Sequence, residues 1–192
     1  MEGQAAGFAE FKMMTVDPAI RDLCAFALAL IFGASGAMKL RDAEMFEGSL
    51  ANYQLAPSRM EKPLAHVFPI LECAAAIGML TTPTRTIAAS ILLALLATFT
   101  GAIAINLARG RRDIDCGCFG PALRQELSGW LLLRNLFLMI VAATAMLPVN
   151  SRALESLDIA TILLGATTLV ILYASANVAI ANLPKTRALE AM

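Results

Sequence analysis

TIAASILLALLATFTGAIAINLA, residues 86–108, decides the fold. No charged side chain interrupts this run, and Asn106 near its end is its strongly polar residue. A helix needs about 20 mostly apolar residues to cross a bilayer. The run lacks the strict alternation of a barrel strand, and a helix satisfies its backbone polar groups by itself in lipid. Working outward, further spans are expected over residues 20–40, 63–82, 128–147 and 159–183. The sequence therefore predicts an all-α integral membrane bundle of about five hydrophobic helices.

Composition agrees. Hydrophobic residues make up 58% of the 192 and charged residues 16%, and the mean hydropathy is +0.69. Soluble domains run near 45–50% apolar and about 25% charged. The formal net charge is +0, and nothing suggests a nucleic-acid partner, which would need a basic face. The lipid bilayer is the partner this composition demands. Residues 1–19 are mixed and polar, without the basic start and apolar stretch of a secretory signal. The first apolar run is read as a retained anchor.

The most polar loop reads RGRRDIDCGCFGP, residues 109–121, and holds two of the four cysteines. Cys116 and Cys118 are separated by Gly117, which removes the side chain that would hinder bending between the sulfurs. Such close spacing serves dithiol redox chemistry, metal binding or neither. A strained, exposed bridge is the labile, catalytic kind. Arg109, Arg111 and Arg112 favour a thiolate, whereas Asp113 and Asp115 oppose it. A structural zinc site usually takes four Cys or His ligands, and the chain has one histidine; no metal is expected. One histidine and no Cys-x-x-Cys-His argue against c-type haem, and no quinone signature is legible. No cofactor is expected.

Glu72 lies about nine residues into the second span, roughly 13 Å along its axis. An ionisable residue at that depth costs about 2.5–3.5 kcal/mol on insertion scales and is a functional-site hypothesis by default. Chain direction brings Lys39, Asn106, Arg109, Arg134 and Asn135 to the same end of the bundle as the cysteine loop. Two readings stand: an ion pair of Glu72 with Arg134 or Lys39 that pins helix packing, or a charged floor that tunes the thiols. Cys24 and Cys73 are read as small apolar packers, His66 and Trp130 as interfacial. Asn177 is a candidate for bonding across helices. Of the basic residues outside the spans, ten fall on the loop side and four opposite, which by the positive-inside bias puts the loop in the cytoplasm.

The assembled residues resemble a known family. They are KLRD at 39–42, F-x-x-x-L-x-x-Y-x-L at 46–55, P-x-L-E at 69–72, NLARGRRDIDCGCFG at 106–120 and LRN at 133–135. The pattern is similar to the methylamine utilisation protein MauE family, within the wider MauE/DoxX group of redox-associated membrane proteins. The resemblance implies a four-helix DoxX-like core over residues 20–148 with a redox loop at 109–121, a polar segment at 1–19, and a fifth transmembrane helix at 159–183. It implies an inner-membrane, multi-pass protein acting in maturation of a periplasmic, disulfide-rich client, the methylamine dehydrogenase small subunit, beside a MauD-type thioredoxin-like protein. Carried over, the motif falls on Lys39, Glu72, Asn106, Arg109, Asp115, Cys116, Cys118, Phe119, Gly120, Arg134 and Asn135, with Cys116 and Cys118 as the reactive pair. Thiol–disulfide exchange is thus the leading expectation. A non-enzymatic scaffold or export helper, and a small-solute or metal transporter using Glu72, are the rivals.

Overall fold

The structure, a computed structural model, describes residues 15–117, 125–150 and 152–190. Cys118, Phe119 and Gly120 lie outside the described residues. Six helices run through it: α1 (Pro18–Arg41), α2 (Ala43–Tyr53), α3 (Ser58–Met79), α4 (Thr82–Ala108), α5 (Gly129–Thr144) and α6 (Ser156–Glu190). All five expected apolar stretches are helical. α1, α4 and residues Ser156–Asn182 of α6 are long and apolar enough to cross a membrane, and α5 is a shorter apolar helix. This is a multi-pass membrane protein built as a helical bundle.

Capping chemistry sets the boundaries. Asp17 precedes Pro18, and its carboxylate accepts from the Ala19 amide at 2.8 Å, opening α1. Asp42 closes α1 and opens α2, its carboxylate accepting from the Met45 amide at 3.3 Å. One short polar side chain therefore turns the chain between two helices. The second span was expected to continue to residue 82, but α3 ends at Met79. Pro83 then sits in the first turn of α4, where its missing N–H costs nothing.

α2 is the helix the hydropathy reading did not anticipate, because its 11 residues are too few to span. It folds back against α3 and brings Phe46, Ser49 and Tyr53 inward, all buried. α1 packs closely on α3 at Gly36. A Cβ there would stand 2.7 Å from the Cys73 sulfur and 2.9 Å from the Pro69 carbonyl oxygen, so only glycine permits the approach. The main core interleaves Ala25, Leu28, Phe32, Ala75, Met79, Leu92 and Leu138. α6 lies against α1.

The end of the bundle away from the cysteine loop is tied by charge. Arg85 of α4 pairs with Asp22 of α1. Arg152 donates to Asp17 at 3.0 Å and to Asp158 at 2.8 Å, joining the start of α1 to the start of α6.

Candidate functional site

Cys116 stands at the opposite end, in a loop that folds inward onto the helices. Two short segments hold it. Its amide donates to the Gln125 carbonyl at 2.9 Å, and the Leu127 amide donates to the Ile114 carbonyl at 3.1 Å. Asp115 Oδ1 accepts from the amides of Gln125 at 3.0 Å and Gly117 at 3.4 Å. Asp115 thus pins the turn through an Asx-type bond. Ile114, Cys116 and Gly117 are buried. The polar backbone groups of this inward-folded loop find partners within the protein, as buried backbone requires.

Gly117 has φ +69, and a Cβ there would lie 2.8 Å from the Ser49 Cβ. Both the left-handed backbone and the contact with α2 exclude other residues. Cys116 is disulfide-bonded, whereas Cys24 and Cys73 are free thiols, half-buried in their helices.

Arg134 is the organising side chain. It projects from the first turns of α5 and is buried. Its guanidinium reaches the Cys116 sulfur at 3.9 Å, Asn177 Oδ1 at 3.3 Å, Gln125 Oε1 at 3.5 Å and Asn135 Oδ1 at 3.3 Å. Asn135 Nδ2 in turn donates to Thr100 Oγ1 at 3.1 Å. Arginine's planar fork suits such a multi-point hub, which lysine cannot replicate. α6 enters the site through Asn177, which also donates to the Tyr173 carbonyl at 2.7 Å.

Beside it lies the buried ion pair. Lys39 Nζ donates to Glu72 Oε1 at 2.6 Å, and Ser35 Oγ donates to Glu72 Oε2 at 3.2 Å. The Lys39 ammonium also sits 5.0 Å and 4.9 Å from the ring centroids of Phe46 and Phe99, within cation–π range. A cavity of about 40 Å³ touches Lys39, Glu72, Arg134, Asn135 and Tyr173, so the ion pair and the arginine hub border the same small space. It is large enough for water.

Asn106 serves the site indirectly. Its Nδ2 donates to the Tyr53 carbonyl at 3.2 Å, while Arg111 donates to the Asn52 carbonyl at 3.0 Å and to Asn106 Oδ1 at 3.3 Å. These bonds satisfy the free carbonyls at the end of α2. Tyr53 then donates from its hydroxyl to the Cys116 carbonyl at 3.5 Å. Burial pushes the Tyr53 phenol above its usual range, with the nearby Asp115 carboxylate adding to the effect.

Of the sequence-singled residues, the structure brings Lys39, Glu72, Arg134, Asn135, Asp115 and Cys116 together, with Asn106 one layer out. Arg109 stands apart: it is exposed at the end of α4, and Arg111 makes the contact to Asn106. His66 is exposed and Asn177 does bond across helices. Sequence reasoning did not single out Ser35, Phe99, Thr100 or Gln125. Phe99 and Thr100 sit in the cleanest apolar run, where nothing distinguishes a site residue from lipid-facing filler. Phe46 and Tyr53 entered the sequence reading only as members of the F-x-x-x-L-x-x-Y-x-L pattern.

A family profile described as methylamine utilisation protein MauE matches residues 17–148. Curated relatives bear the same description. The chain is 40% identical to methylamine utilization protein MauE of Paracoccus denitrificans over 151 residues, which is 78% of this chain and 81% of the relative. It is 34% identical to the Methylophilus methylotrophus protein over 170 residues, 86% and 88% of the two chains. No solved structure matches the chain.

Proposed function

The chain belongs to the methylamine utilisation protein MauE family, and from that premise we propose that it is an inner-membrane thiol–disulfide component for maturation of the methylamine dehydrogenase small subunit. The observation that carries the reading is the buried Arg134 guanidinium 3.9 Å from the Cys116 sulfur. A cation at that position stabilises a thiolate and makes Cys116 the better leaving group.

In this reading Cys118 is the other half of the bridge at Cys116. A thiolate of a thioredoxin-like partner attacks the Cys118 sulfur, the bond between Cys118 and Cys116 breaks, and Cys116 departs as a thiolate facing Arg134. The partner's second thiolate then attacks the mixed disulfide and releases Cys118. The partner leaves oxidised by two electrons, and the Cys116–Cys118 pair is left reduced. The oxidised partner passes its disulfide to the client. Lys39 and Glu72 hold the floor of the site as a neutral pair beside the arginine hub.

A transporter built on Glu72 is less well supported, because both carboxylate oxygens are engaged by Lys39 and Ser35. Among the described residues no group of three or more His, Cys, Asp or Glu side chains is placed to hold a metal ion.

A periplasmic client requires the loop on the periplasmic side, against the count of basic residues. We place it there. Supporting this, Arg111 is engaged with Asn52 and Asn106, so part of that positive charge serves the fold.

The test is trapping in cells. A thioredoxin-like partner whose second cysteine is changed to serine is expected to accumulate a mixed disulfide with the wild-type chain, and none with Cys118→Ser. In spheroplasts, the reduced wild type is expected to react with a membrane-impermeant maleimide. Client matured fully in a strain whose protein lacks both cysteines overturns the reading; labelling only after permeabilisation overturns the orientation.

A further inference from the structure

A second, larger cavity of about 430 Å³ opens between α2, α3 and α4. Phe46, Tyr53, Phe68 and Phe99 line it, and Cys116 forms part of its wall. Its volume is that of a small-molecule site, mostly apolar with a few polar groups. Gly101, Ala97 and Thr98 also line it and are exposed on α4, a membrane-crossing helix. Its mouth therefore faces lipid, and its occupant must come from the bilayer.

We propose that this cavity binds the head of a membrane-soluble quinone, which reoxidises the Cys116 thiol pair; the inference rests on the thiol–disulfide reading above. Three observations converge. A bridge reduced by a partner's dithiol must lose two electrons and two protons before the next cycle. The carrier must reach Cys116 through an apolar, lipid-facing opening. Its head must fit among four aromatic rings, which favour offset or edge-on contact with a flat ring. Phe68 and Phe99 already meet edge to face at 5.3 Å.

In the step, the thiol pair gives up two electrons and two protons and the sulfur–sulfur bond forms. The quinone's two carbonyls become hydroxyls, and the hydroquinone diffuses away in the bilayer. No sequence motif announces such a site, because its walls are ordinary apolar residues of three different helices.

The test uses the full chain, reduced, in phosphatidylcholine nanodiscs under anaerobic conditions, with decylubiquinone as probe. One quinone is expected to be reduced per bridge re-formed. An azido-quinone is expected to label the α3–α4 wall, in competition with decylubiquinone, in both wild type and Cys116→Ser. Gly101→Leu fills a position whose Cβ meets no atom within 4 Å. It is expected to lose at least tenfold more quinone reduction than disulfide exchange with a reduced thioredoxin; Ala97→Phe serves as the second variant. Exchange without quinone reduction or competed labelling means that acyl chains fill the cavity, which overturns this inference and leaves the proposed function standing. Competed labelling without any exchange overturns the proposed function and the redox step with it.

Discussion

Lys39 and Glu72, 33 residues apart in the chain, meet at 2.6 Å with side chains only 3% and 2% exposed. The pair clamps α1 to α3 beside the cysteine loop. Removing one member of a buried pair typically costs about 3–5 kcal/mol, whereas replacing both with apolar residues is often neutral. Glu72→Met and Lys39→Met are each expected to destabilise the protein on that scale. The double variant is expected to recover most of the loss, measured by denaturant unfolding in micelles. Simple addition of the two single effects would refute the coupling.

Arg134→Gln removes the cation beside the Cys116 sulfur. Hydrogen bonds to charged groups contribute about 1.5–3 kcal/mol, so exchange with a small dithiol is expected to slow by about 10- to 100-fold. The reduced Cys116 thiol is expected to titrate at higher pH than in the wild type, since its thiolate has lost a counter-charge. Arg134→Lys should restore part of the thiolate stabilisation without the bonds to Asn135, Gln125 and Asn177. Iodoacetamide alkylation against pH checks both; an unchanged profile in Arg134→Gln would sink the role.

Gly117→Ala meets two obstacles, a left-handed backbone and the Ser49 side chain. The backbone alone costs about 1–2 kcal/mol. Exchange is expected to fall at least tenfold, and adding Ser49→Gly is expected to return part of it. Equal activity of Gly117→Ala and wild type would show that the turn is not held as described.

At the far end, Arg152 holds the Asp17 carboxyl below its usual range, chiefly by a side-chain hydrogen bond. A carboxyl whose pKa is depressed on folding adds stability above its unfolded value and loses it as pH falls through the folded one. The wild type is therefore expected to melt above Arg152→Ala at neutral pH. The gap is expected to narrow as the pH falls below 3.8, the ordinary aspartate value, and Asp17 is protonated. A gap independent of pH between 7 and 3 would rule out this linkage.

The membrane class was legible because it depends on run length and charge spacing, which are properties of consecutive residues. The residues 86–108 needed no tertiary context, whereas the caps at Asp17 and Asp42, local as their chemistry is, became evident only in the structure. α2 was hidden because an 11-residue helix is too short to stand out by hydropathy. Its Phe46 and Tyr53 mattered only once the chain turned back at Asp42.

The sequence by itself determined that this is a helical membrane protein, and that two cysteines sit one glycine apart in a charged loop. Only the tertiary structure decided that Lys39, not Arg134, takes Glu72, and that Arg134, not Arg109, reaches Cys116. It also assigned Arg111 to the end of α2 and brought α6 into the site through Asn177. The physical reason is that charge pairing in a bundle depends on helix rotation and on where small residues such as Gly36 let backbones approach. Neither quantity is written in the spacing of residues along one chain.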